Sequence, residues 1–339
     1  MKILAIETSC DETAAAVLEA TESRFLVLSN VISSQIALHN QYGGVVPHLA
    51  AREHVKNINH VIKSALKEAK LIIPEVDLIA VTHGPGLGPA LLVGLTYAKT
   101  LAWQYQKPLI GVNHMDGHIH SNWLEPSEPL DNIFPALNVM VSGGHTELVL
   151  MKDHGDYEII GETLDDAVGE AFDKVARLLG EGYPGGPIIS KLAQEGNPQM
   201  FDLPRPMLKS KDYNFSYSGL KTAVLYLLRD LGEISEQQKK DIAASFQEAA
   251  IDVLIQKTTR AAKEFKIKAI LLSGGVSANK LLREYLAKTT QKLEIRFFCP
   301  AMQYTTDNAA MIAVAGYFTY KKSGAHSWEQ VTMHPNLTL

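Results

Sequence analysis

Residues 2–18, KILAIETSCDETAAAVL, contain two apolar runs separated by a short polar turn. Residues 2–8 and 14–18 each have the length of a β-strand, and Ser9-Cys10-Asp11-Glu12 supplies turn-forming side chains between them. This stretch therefore predicts a β-hairpin. Residues 135–151, PALNVMVSGGHTELVLM, repeat the pattern around Ser142-Gly143-Gly144-His145. A chain that contains the same hairpin twice indicates a duplicated architecture.

The segments that follow the two hairpins also correspond to each other. Residues 60–70 have helical periodicity and precede an apolar strand at 77–82, and residues 250–265 likewise precede a strand at 268–273. A glycine turn follows each of these strands. A later pair of strands, at 108–112 and 295–299, leads in each case toward another helix. Alternating strands and helices in both halves predict two similar α/β lobes with a cleft for ligands between them.

This order of elements resembles the actin, sugar-kinase and heat-shock-ATPase (ASKHA) fold. We expect an N-terminal lobe at residues 1–130 and a C-terminal lobe at 131–339. The second half is longer between corresponding motifs, which predicts a helical insertion near residues 160–240. The last helix is the one element that could pack back on the N-terminal lobe. A shared fold does not by itself establish an activity.

The composition is that of a globular protein of ordinary size, with 339 residues, 46% hydrophobic and 20% charged. The apolar stretch at 78–101 is interrupted by charged, glycine and proline residues, so we expect no membrane span and a cytoplasmic location. Cys10 and Cys299 are too few and too far apart for a disulfide framework or a thiolate zinc site. The net charge of -5 lacks the basic excess typical of nucleic-acid-binding chains. Binding to RNA would need a local basic patch or partner proteins.

His114 and His118 are four residues apart, so on a helix they project from the same face and can share a metal ion. Asp307 occupies the matching place in the second half and would supply an oxygen ligand across the cleft. Two imidazoles and a carboxylate suit one divalent ion, either iron or zinc, with open coordination positions. The alternative is a polar helix start whose histidines only form hydrogen bonds. A zinc peptidase is not indicated, because Met115 stands where the HExxH motif requires glutamate.

Two glycine-containing turns, at residues 140–145 and 273–279, follow predicted strands and offer free backbone N–H groups to a phosphate. Glycine pairs after strands are also common in plain turns, and neither turn is a P-loop. Residues 183–187, YPGGP, are either a rigid loop or a lid. The acidic residues Asp165, Asp166 and Glu170 are interpreted as structural. Residues 209–221 alternate lysine with aromatic residues, which fits either RNA contact or a solvated loop.

Taken together, these motifs resemble the TsaD family of tRNA N6-adenosine threonylcarbamoyltransferases. The resemblance extends in order along the whole chain, through IETSCDET (6–13), GPG (84–86), HMDGH (114–118), VSGGH (141–145), DKV (173–175), YPGGP (183–187), SGGV (273–276) and TDN (306–308). It implies a metal ion, Fe2+ with Zn2+ as the alternative, held by His114, His118 and Asp307.

The resemblance also implies a site for threonylcarbamoyl-adenylate. The residues that it assigns to this ligand are Met140, Val141, Ser142, Gly143, Gly144, Asp173, Gly186 and Asn279, with Asp173 on the ribose hydroxyls. Some relatives have aspartate where this chain has Ser190. Glu12 and His145 lie in motif turns and are the candidates for a catalytic base, but the sequence does not choose between them.

The implied reaction transfers the threonylcarbamoyl group from its adenylate to N6 of the adenosine 3′ of the anticodon in tRNA, with release of AMP. The implied partners are tRNA, a TsaB-type paralogue, a TsaE-type ATPase and a TsaC-type synthase that makes the adenylate, and no membrane. Two other functions fit the fold alone. One is an ATP-dependent small-molecule kinase, which would not need the histidine pair, and the other is a non-catalytic nucleotide-binding scaffold.

Overall fold

The computed structural model describes residues 1–22 and 24–339. The strands are β1 (Lys2–Glu7), β2 (Glu12–Ala20), β3 (Phe25–Ser34), β4 (Leu78–Gly84), β5 (Leu109–Asn113), β6 (Ala136–Val141), β7 (Thr146–Asp153), β8 (Asp156–Glu162), β9 (Ala269–Ser273) and β10 (Arg296–Phe298). The α-helices are α1 (Ile36–His39), α2 (Pro47–Ala69), α3 (Gly88–Tyr105), α4 (His114–His120), α5 (Val168–Leu178), α6 (Gly185–Ala193), α7 (Ser218–Leu231), α8 (Glu236–Glu264), α9 (Lys280–Leu293) and α10 (Ala309–Ser323). The chain divides into two compact units. Unit 1 comprises Met1–Pro129 with Pro300–Leu339, and unit 2 comprises Leu130–Cys299.

The sheet of unit 1 has the strand order β3-β2-β1-β4-β5. The hairpin predicted at residues 2–18 is confirmed, since β1 pairs antiparallel with β2 and Ile6 lies opposite Ala15. β4 joins β1 in parallel, and β5 joins β4 in parallel. The carboxyl ends of β1, β4 and β5 therefore lie along one edge of this sheet, which is where ligand sites form in such folds.

Helices pack against both faces of this sheet. Leu4, Ile6 and Val81 share an apolar core with residues of α2 and α3. Because side chains alternate along a strand, Ala80 faces the opposite way, toward α10. Gly316 of α10 lies so close that an added Cβ would be 2.8 Å from the Ala80 side chain. Glycine at this position thus lets α10 lie directly on the sheet.

The segment after α10 continues along unit 1 and contacts the ends of β4 and β5. His326 donates its backbone N–H to the Leu109 carbonyl oxygen at 3.1 Å, and His334 donates to the His83 oxygen at 2.7 Å. The side-chain amide of Asn113 donates to the Thr338 carbonyl oxygen at 2.9 Å. These bonds hold residues 326–338 along β5, from its first residue to its last, and at the end of β4.

The sheet of unit 2 has the strand order β10-β9-β6-β7-β8. β6 pairs antiparallel with β7, with Val141 opposite Thr146, so the hairpin predicted at residues 135–151 is confirmed. β9 joins β6 in parallel, and β10 joins β9. Leu137, Val139 and Leu148 of this sheet share one apolar core with residues of α5, α8 and α9.

The two sheets have the same order and directions of strands, which confirms the duplication inferred from the sequence. The sequence interpretation omitted β3 and β8, the strand that follows the hairpin in each half and lies at one edge of its sheet. Both of these outer strands are partly exposed along most of their length. A half-exposed edge strand needs no continuous apolar run, so its sequence lacks the pattern that revealed the central strands.

Residues 300–339 belong to unit 1. The sequence-based division placed them in the C-terminal lobe but allowed the last helix to pack on the N-terminal lobe, as α10 does. The reason lies in α10, whose residues 309–317 are all buried and which packs on β1, β2, β4 and β5. A helix that is apolar around most of its circumference needs a sheet face to cover it. Although α3 and α10 are strongly apolar, none of the helices in the described ranges is long and apolar enough to cross a membrane.

Candidate functional site

Helix α4 carries both histidines of the predicted metal motif. Asn113 caps the helix, because its Oδ1 accepts a hydrogen bond from the Met115 backbone N–H at 2.8 Å. With the helix starting at His114, the imidazoles of His114 and His118 project from successive turns of one face. Their ring centroids are 4.7 Å apart. The sequence prediction that the two rings share a face is therefore confirmed.

Asp307 lies just before the first turn of α10, where Asn308 caps the helix by accepting the Met311 backbone N–H at 3.0 Å. Helices α4 and α10 approach closely through Gly117 of α4. A Cβ added there would be 2.7 Å from the Ile312 side chain of α10. This approach brings the carboxylate of Asp307 to the two imidazoles.

The three side chains converge on a common point. Oδ1 of Asp307 is 3.2 Å from Nε2 of His118 and 3.6 Å from Nε2 of His114. Ligand atoms about 2.1 Å from a metal ion in tetrahedral geometry are about 3.4 Å from one another, so these separations fit a first-row divalent ion. The three ligand atoms all lie within 4.8 Å of one another. This His/His/Asp group could therefore hold a metal ion.

Asp307 belongs to a different part of the molecule from the one that the sequence predicted. We expected Asp307 to approach from the other lobe, across a cleft. In the structure Asp307 belongs to unit 1, as do both histidines. The similar positions of Asp307 and His114 in the two halves of the sequence do not place them in different units, because α10 returns to the sheet of unit 1.

Neighbouring charged groups shift the pKa values of Asp307 and His114. Burial raises the pKa of Asp307, but the positive charge of His114 and a hydrogen bond from His118 outweigh it and hold this pKa at about 2. Burial lowers the pKa of His114, whereas the negative charges of Asp307 and Glu7 raise it to about 9. A metal ligand imidazole must be neutral at the bound nitrogen, so metal binding near pH 7 must displace a proton from His114.

Glu7, at the end of β1, contacts the side of His114 that faces away from Asp307. Its carboxylate is fully buried and accepts hydrogen bonds from the Ser9 backbone N–H and the Thr82 hydroxyl, both at 2.5 Å. Oε2 of Glu7 is also 3.1 Å from Nδ1 of His114. Sequence reasoning assigned no role to Glu7. The available signal was a single acidic residue at the end of an otherwise apolar strand.

Glu12, a candidate for the catalytic base, lies at the start of β2. Burial, together with the negative charges of Asp307 and Asp11, raises its pKa to about 9. Its Oε1 accepts a hydrogen bond from the Ser34 hydroxyl at 3.1 Å. A carboxyl group with so high a pKa is protonated at neutral pH. A metal ion bound at Asp307 would offset part of the negative charge that raises this pKa, so the role of Glu12 as the base stays a prediction.

In unit 2, the turn after β6 is held by Ser142. Its hydroxyl accepts the backbone N–H groups of Gly144 and His145, at 3.2 and 3.0 Å, and its own N–H donates to the His145 carbonyl oxygen at 2.8 Å. The side chains of Met140 and Val141 are fully buried. A ligand at this turn would therefore meet the backbone of residues 140–141 and the exposed glycines beyond them.

Two kinds of glycine occur around this turn and in the loops beside it. A Cβ added at Gly169 or Gly274 would overlap the backbone of residues 141–143, so these glycines are needed for packing. A Cβ added at Gly143, Gly144 or Gly186 would meet no protein atom within 4 Å. Nothing in the described fold requires glycine at these last positions. They are three of the positions that the sequence analysis assigned to the adenylate.

The remaining adenylate candidates are connected to this turn through hydrogen bonds within unit 2. Gly169, at the start of α5, donates to the Ser142 carbonyl oxygen at 3.2 Å. One turn further along α5, Asp173 accepts the Gly185 N–H at 2.7 Å, where α6 begins. Burial raises the pKa of Asp173 against the lowering effect of these backbone N–H groups. The amide of Asn279, at the start of α9, donates to the Ser190 hydroxyl of α6 at 3.0 Å.

These contacts place the starts of α5, α6 and α9 at the end of unit 2 where β6 and β9 terminate. Helix starts carry unpaired N–H groups and a partial positive charge, which favours an anionic ligand. Gln247 of α8 joins the group, since its Oε1 accepts hydrogen bonds from Ser190 at 3.0 Å and from Asn279 at 2.8 Å. The sequence analysis did not find Gln247, because a glutamine within a long helix has no distinguishing local pattern.

Comparison with known proteins identifies the family of this chain. The family model "TsaD: tRNA N6-adenosine threonylcarbamoyltransferase" matches residues 26–314. A relative from Thermosipho africanus with the name tRNA N6-adenosine threonylcarbamoyltransferase is 50% identical over 100% of both chains. A Bacillus subtilis relative of the same name is 51% identical over 95% of this chain and 91% of its own. This chain belongs to the TsaD family.

Solved structures resemble the TsaD-family chain in fold. Full-length HypF in a phosphate- and nucleotide-bound form matches with a TM-score of 0.63 at 16% identity, covering 96% of this chain and 47% of HypF. The activator of 2-hydroxyisocaproyl-CoA dehydratase from Clostridium difficile matches with a TM-score of 0.51 at 11% identity, over 95% and 97%. At such low identity these matches concern the fold alone. With the duplicated sheets, they confirm the predicted ASKHA fold class.

The structure corrects the hypothesis that residues 209–221 contact RNA through both their lysine and their aromatic side chains. The aromatic residues interleaved with lysine at 209–221 were considered as stacking partners for bases, but Tyr213, Phe215 and Tyr217 are buried. They pack in the core of unit 2. Lys209 and Lys211 are exposed, and Lys221 is 3.8 Å from Asp166. Of the lysine and aromatic residues considered in this stretch, Lys209 and Lys211 are the exposed ones.

The structural interpretation of Asp165 agrees with its contacts. Its carboxylate accepts hydrogen bonds from the Ser216 and Ser218 hydroxyls and from the backbone N–H groups of Tyr217 and Ser218. These four bonds hold the start of α7 and, despite burial, lower the pKa of Asp165. Asp166 and Glu170 both pair with Lys174, at 2.6 and 2.9 Å.

Proposed function

We propose that this chain transfers the threonylcarbamoyl group from threonylcarbamoyl-adenylate to N6 of the adenosine 3′ of the anticodon in tRNA. In this reaction a C–N bond forms between N6 and the carbamoyl carbonyl carbon. The C–O bond to the phosphate breaks, AMP leaves, and N6 loses a proton. The observation that carries the proposal is the His114–His118–Asp307 group, found in a chain that belongs to the TsaD family along nearly its whole length. The kinase and scaffold alternatives explain neither of these features.

His114, His118 and Asp307 would hold one divalent metal ion, which we propose to be Fe2+, with Zn2+ as the alternative. Two nitrogen ligands and one oxygen ligand suit either ion and leave coordination positions open. Such an ion supplies electrostatic stabilisation to the negative charge that develops during acyl transfer. The contribution of the chain is to hold Oδ1 of Asp307 at 3.2 Å from Nε2 of His118 and at 3.6 Å from Nε2 of His114.

The adenylate would bind to residues 140–144, Asp173, Gly186 and Asn279 of unit 2. The backbone N–H of Gly143 would bind a phosphate oxygen, since the N–H groups of Gly144 and His145 already donate to the Ser142 hydroxyl. Asp173 would accept hydrogen bonds from the ribose hydroxyls with the carboxylate oxygen lone pairs that Gly185 does not use. Ser190 and Gln247 would take the place of the aspartate that some relatives have at position 190. Glu12 and His145 remain the candidates for the base that removes the N6 proton.

The partners follow from family membership and from charge. tRNA is a polyanion and this chain has a net charge of -5, so an additional basic surface is needed. We propose that a TsaB-type paralogue and a TsaE-type ATPase complete the enzyme in the cytoplasm, and that a TsaC-type synthase supplies the adenylate. Within this chain, Lys209 and Lys211 are exposed and available to tRNA phosphates.

Nucleoside mass spectrometry of a reconstituted reaction tests the function. Wild-type protein with tRNA, threonylcarbamoyl-adenylate and its partners should form threonylcarbamoyladenosine. We expect His114→Ala and Asp307→Ala to lower the rate roughly 100-fold or more, because each removes a metal ligand. His60→Ala, which changes an exposed histidine on α2 of the same unit, is the matched control and should retain full activity. Full turnover by both ligand variants would reject the proposed role of the metal group, and no modified nucleoside with wild-type protein would reject the function.

A further inference from the structure

Glu7 is a carboxylate with no exposure to solvent, and it lies beside His114 of the proposed metal group without belonging to that group. Burying a carboxylate is costly unless hydrogen bonds compensate it. Glu7 has three such partners: the Ser9 N–H on Oε1, and the Thr82 hydroxyl and His114 Nδ1 on Oε2. Both oxygens are therefore held, so the carboxylate is fixed in position relative to the imidazole.

This arrangement determines which nitrogen of His114 carries a proton. A carboxylate offers only lone pairs, so Nδ1 must donate its N–H to Oε2 of Glu7. The neutral ring then has its lone pair on Nε2, the atom that lies 3.6 Å from Asp307 Oδ1. The hydroxyl of Ser9, 3.2 Å from the same Nδ1, can accept a share of this hydrogen bond. Ser9 and Glu7 are on the same nitrogen, so the group is not a serine–histidine–acid relay, which needs one partner on each nitrogen.

His118 provides an internal comparison. Its Nε2 is 3.2 Å from Asp307, but its Nδ1 is buried and has no hydrogen-bond partner. Of these two imidazoles, that of His114 has a carboxylate at its Nδ1, whereas that of His118 does not. The orientation and basicity of a ligand imidazole depend on what its other nitrogen contacts. The two histidines are thus unequal ligands.

We propose that Glu7, held by Thr82 and the Ser9 backbone, is a positioning residue that fixes the His114 tautomer and directs Nε2 toward the metal ion. This inference rests on the proposed metal site and adds a residue to it that the metal group itself does not contain. The geometry also explains why a strand that is otherwise apolar, residues 3–6, ends in a buried acid. Glu7 acts through His114 and does not contact the reacting atoms.

The test measures metal affinity. Metal-free protein is titrated with Co2+ in competition with a chromophoric chelator, and the visible ligand-field spectrum of bound Co2+ is recorded. We expect Glu7→Gln to weaken Co2+ binding by about 10- to 100-fold, since removal of a carboxylate partner of a metal-bound histidine typically has this effect. The spectrum should also change, because the ring of His114 is no longer held. Glu19→Gln, on β2 of the same sheet, is the charge-matched control and should keep the wild-type affinity and spectrum.

Two further variants distinguish a loss of positioning from a loss of folding in Glu7→Gln. Glu7→Asp keeps the negative charge but withdraws it from Nδ1, and Thr82→Val removes one hydroxyl that holds Oε2. We expect both to fold and to weaken Co2+ binding by a smaller factor than Glu7→Gln. At saturating metal, tRNA modification by these variants should recover, which distinguishes positioning from a direct role in the chemistry. Wild-type affinity and spectrum in all Glu7 and Thr82 variants would overturn the inference, as would activity that stays lost at saturating metal. Neither result would affect the proposed function, which depends on His114 and Asp307.

Discussion

Gly185 and Gly186 are neighbours in the chain, yet their surroundings give them different roles. A Cβ at Gly185 would lie 2.6 Å from the Cα of Asp173 and 2.7 Å from the Ala176 side chain. A Cβ at Gly186 would meet nothing within 4 Å. Glycine at 185 therefore serves the packing of α6 on α5, whereas glycine at 186 faces open space. A pair of identical letters in the sequence hides this difference.

The two glycines predict opposite effects of the same substitution. Gly185→Ala should lower the free energy of unfolding by about 1–3 kcal/mol, because the new methyl group overlaps backbone and side-chain atoms. Gly186→Ala should leave stability nearly unchanged but weaken binding of a non-hydrolysable adenylate analogue. Denaturant unfolding and titration calorimetry measure the two properties. Normal analogue binding by Gly186→Ala would contradict the assignment of this position to the ligand.

At the scale of elements, each candidate group is built where strands end and helices begin. In unit 1, His114 starts α4 directly after β5, and Asp307 precedes the cap of α10. In unit 2, the starts of α5, α6 and α9 surround the turn after β6. The asparagine caps at 113, 279 and 308 accept helix N–H groups in each case and fix where these helices begin. Small shifts of a helix start would move the functional side chains with it.

Strand β7, which follows the Ser142 turn, forms an unfavourable side-chain pair with β8. Glu147 of β7 lies directly opposite Glu162 of β8. Burial, together with the negative charge of Glu162, raises the pKa of Glu147 to about 7. A like-charged pair at opposite positions destabilises a sheet. Since the folded state binds this proton more tightly than the unfolded chain, stability should fall as pH rises from about 4.5 to about 7, and the loss should be complete above that range.

Glu147→Gln should therefore stabilise the protein at pH 8, by roughly 1–2 kcal/mol, with the gain fading as the pH falls to about 4. The substitution removes the charge that repels Glu162 and keeps the size of the side chain. Urea unfolding at several pH values measures the effect. Glu158→Gln, on exposed β8 and paired with Lys152 at 2.9 Å, is the control and should change stability little at any pH. A gain for Glu147→Gln that is equal at pH 4 and pH 8 would refute the explanation.

At the scale of the whole molecule, the metal candidates and the adenylate candidates belong to different units. The metal candidates His114, His118 and Asp307 all belong to unit 1. The adenylate candidates, from Met140 to Asn279, all belong to unit 2. Each unit has its own sheet and its own apolar core. We therefore expect the two units to bind different ligands.

Hydrogen exchange with single ligands should resolve this division. A divalent metal ion alone should slow amide exchange in α4 and in the first turn of α10, because binding stabilises the local structure that holds its ligands. An adenylate analogue alone should slow exchange at residues 142–145 and 185–186. Mass spectrometry of the two series locates the protected peptides. Protection by the metal ion that is confined to unit 2 would contradict the proposed ligand set, and His118→Ala should abolish the protection in α4.

The sequence by itself determined the repeated hairpins, the helices between strands and the shared face of His114 and His118. These features depend on local periodicity, which a chain carries along its own length. The sequence did not predict the edge strands β3 and β8, because half-exposed strands lack a clear apolar periodicity. The metal ligands could be named from the motif, but their common origin in unit 1 could not.

Only the tertiary structure decided which distant residues meet. Glu7 contacts His114 across 107 positions of sequence and Thr82 across 75. The return of α10 to the first sheet brings Asp307 to the histidines, and packing separates structural glycines such as Gly185 from open ones such as Gly186. These outcomes depend on burial and close approach between elements, and neither is encoded in the spacing of residues along one strand or helix.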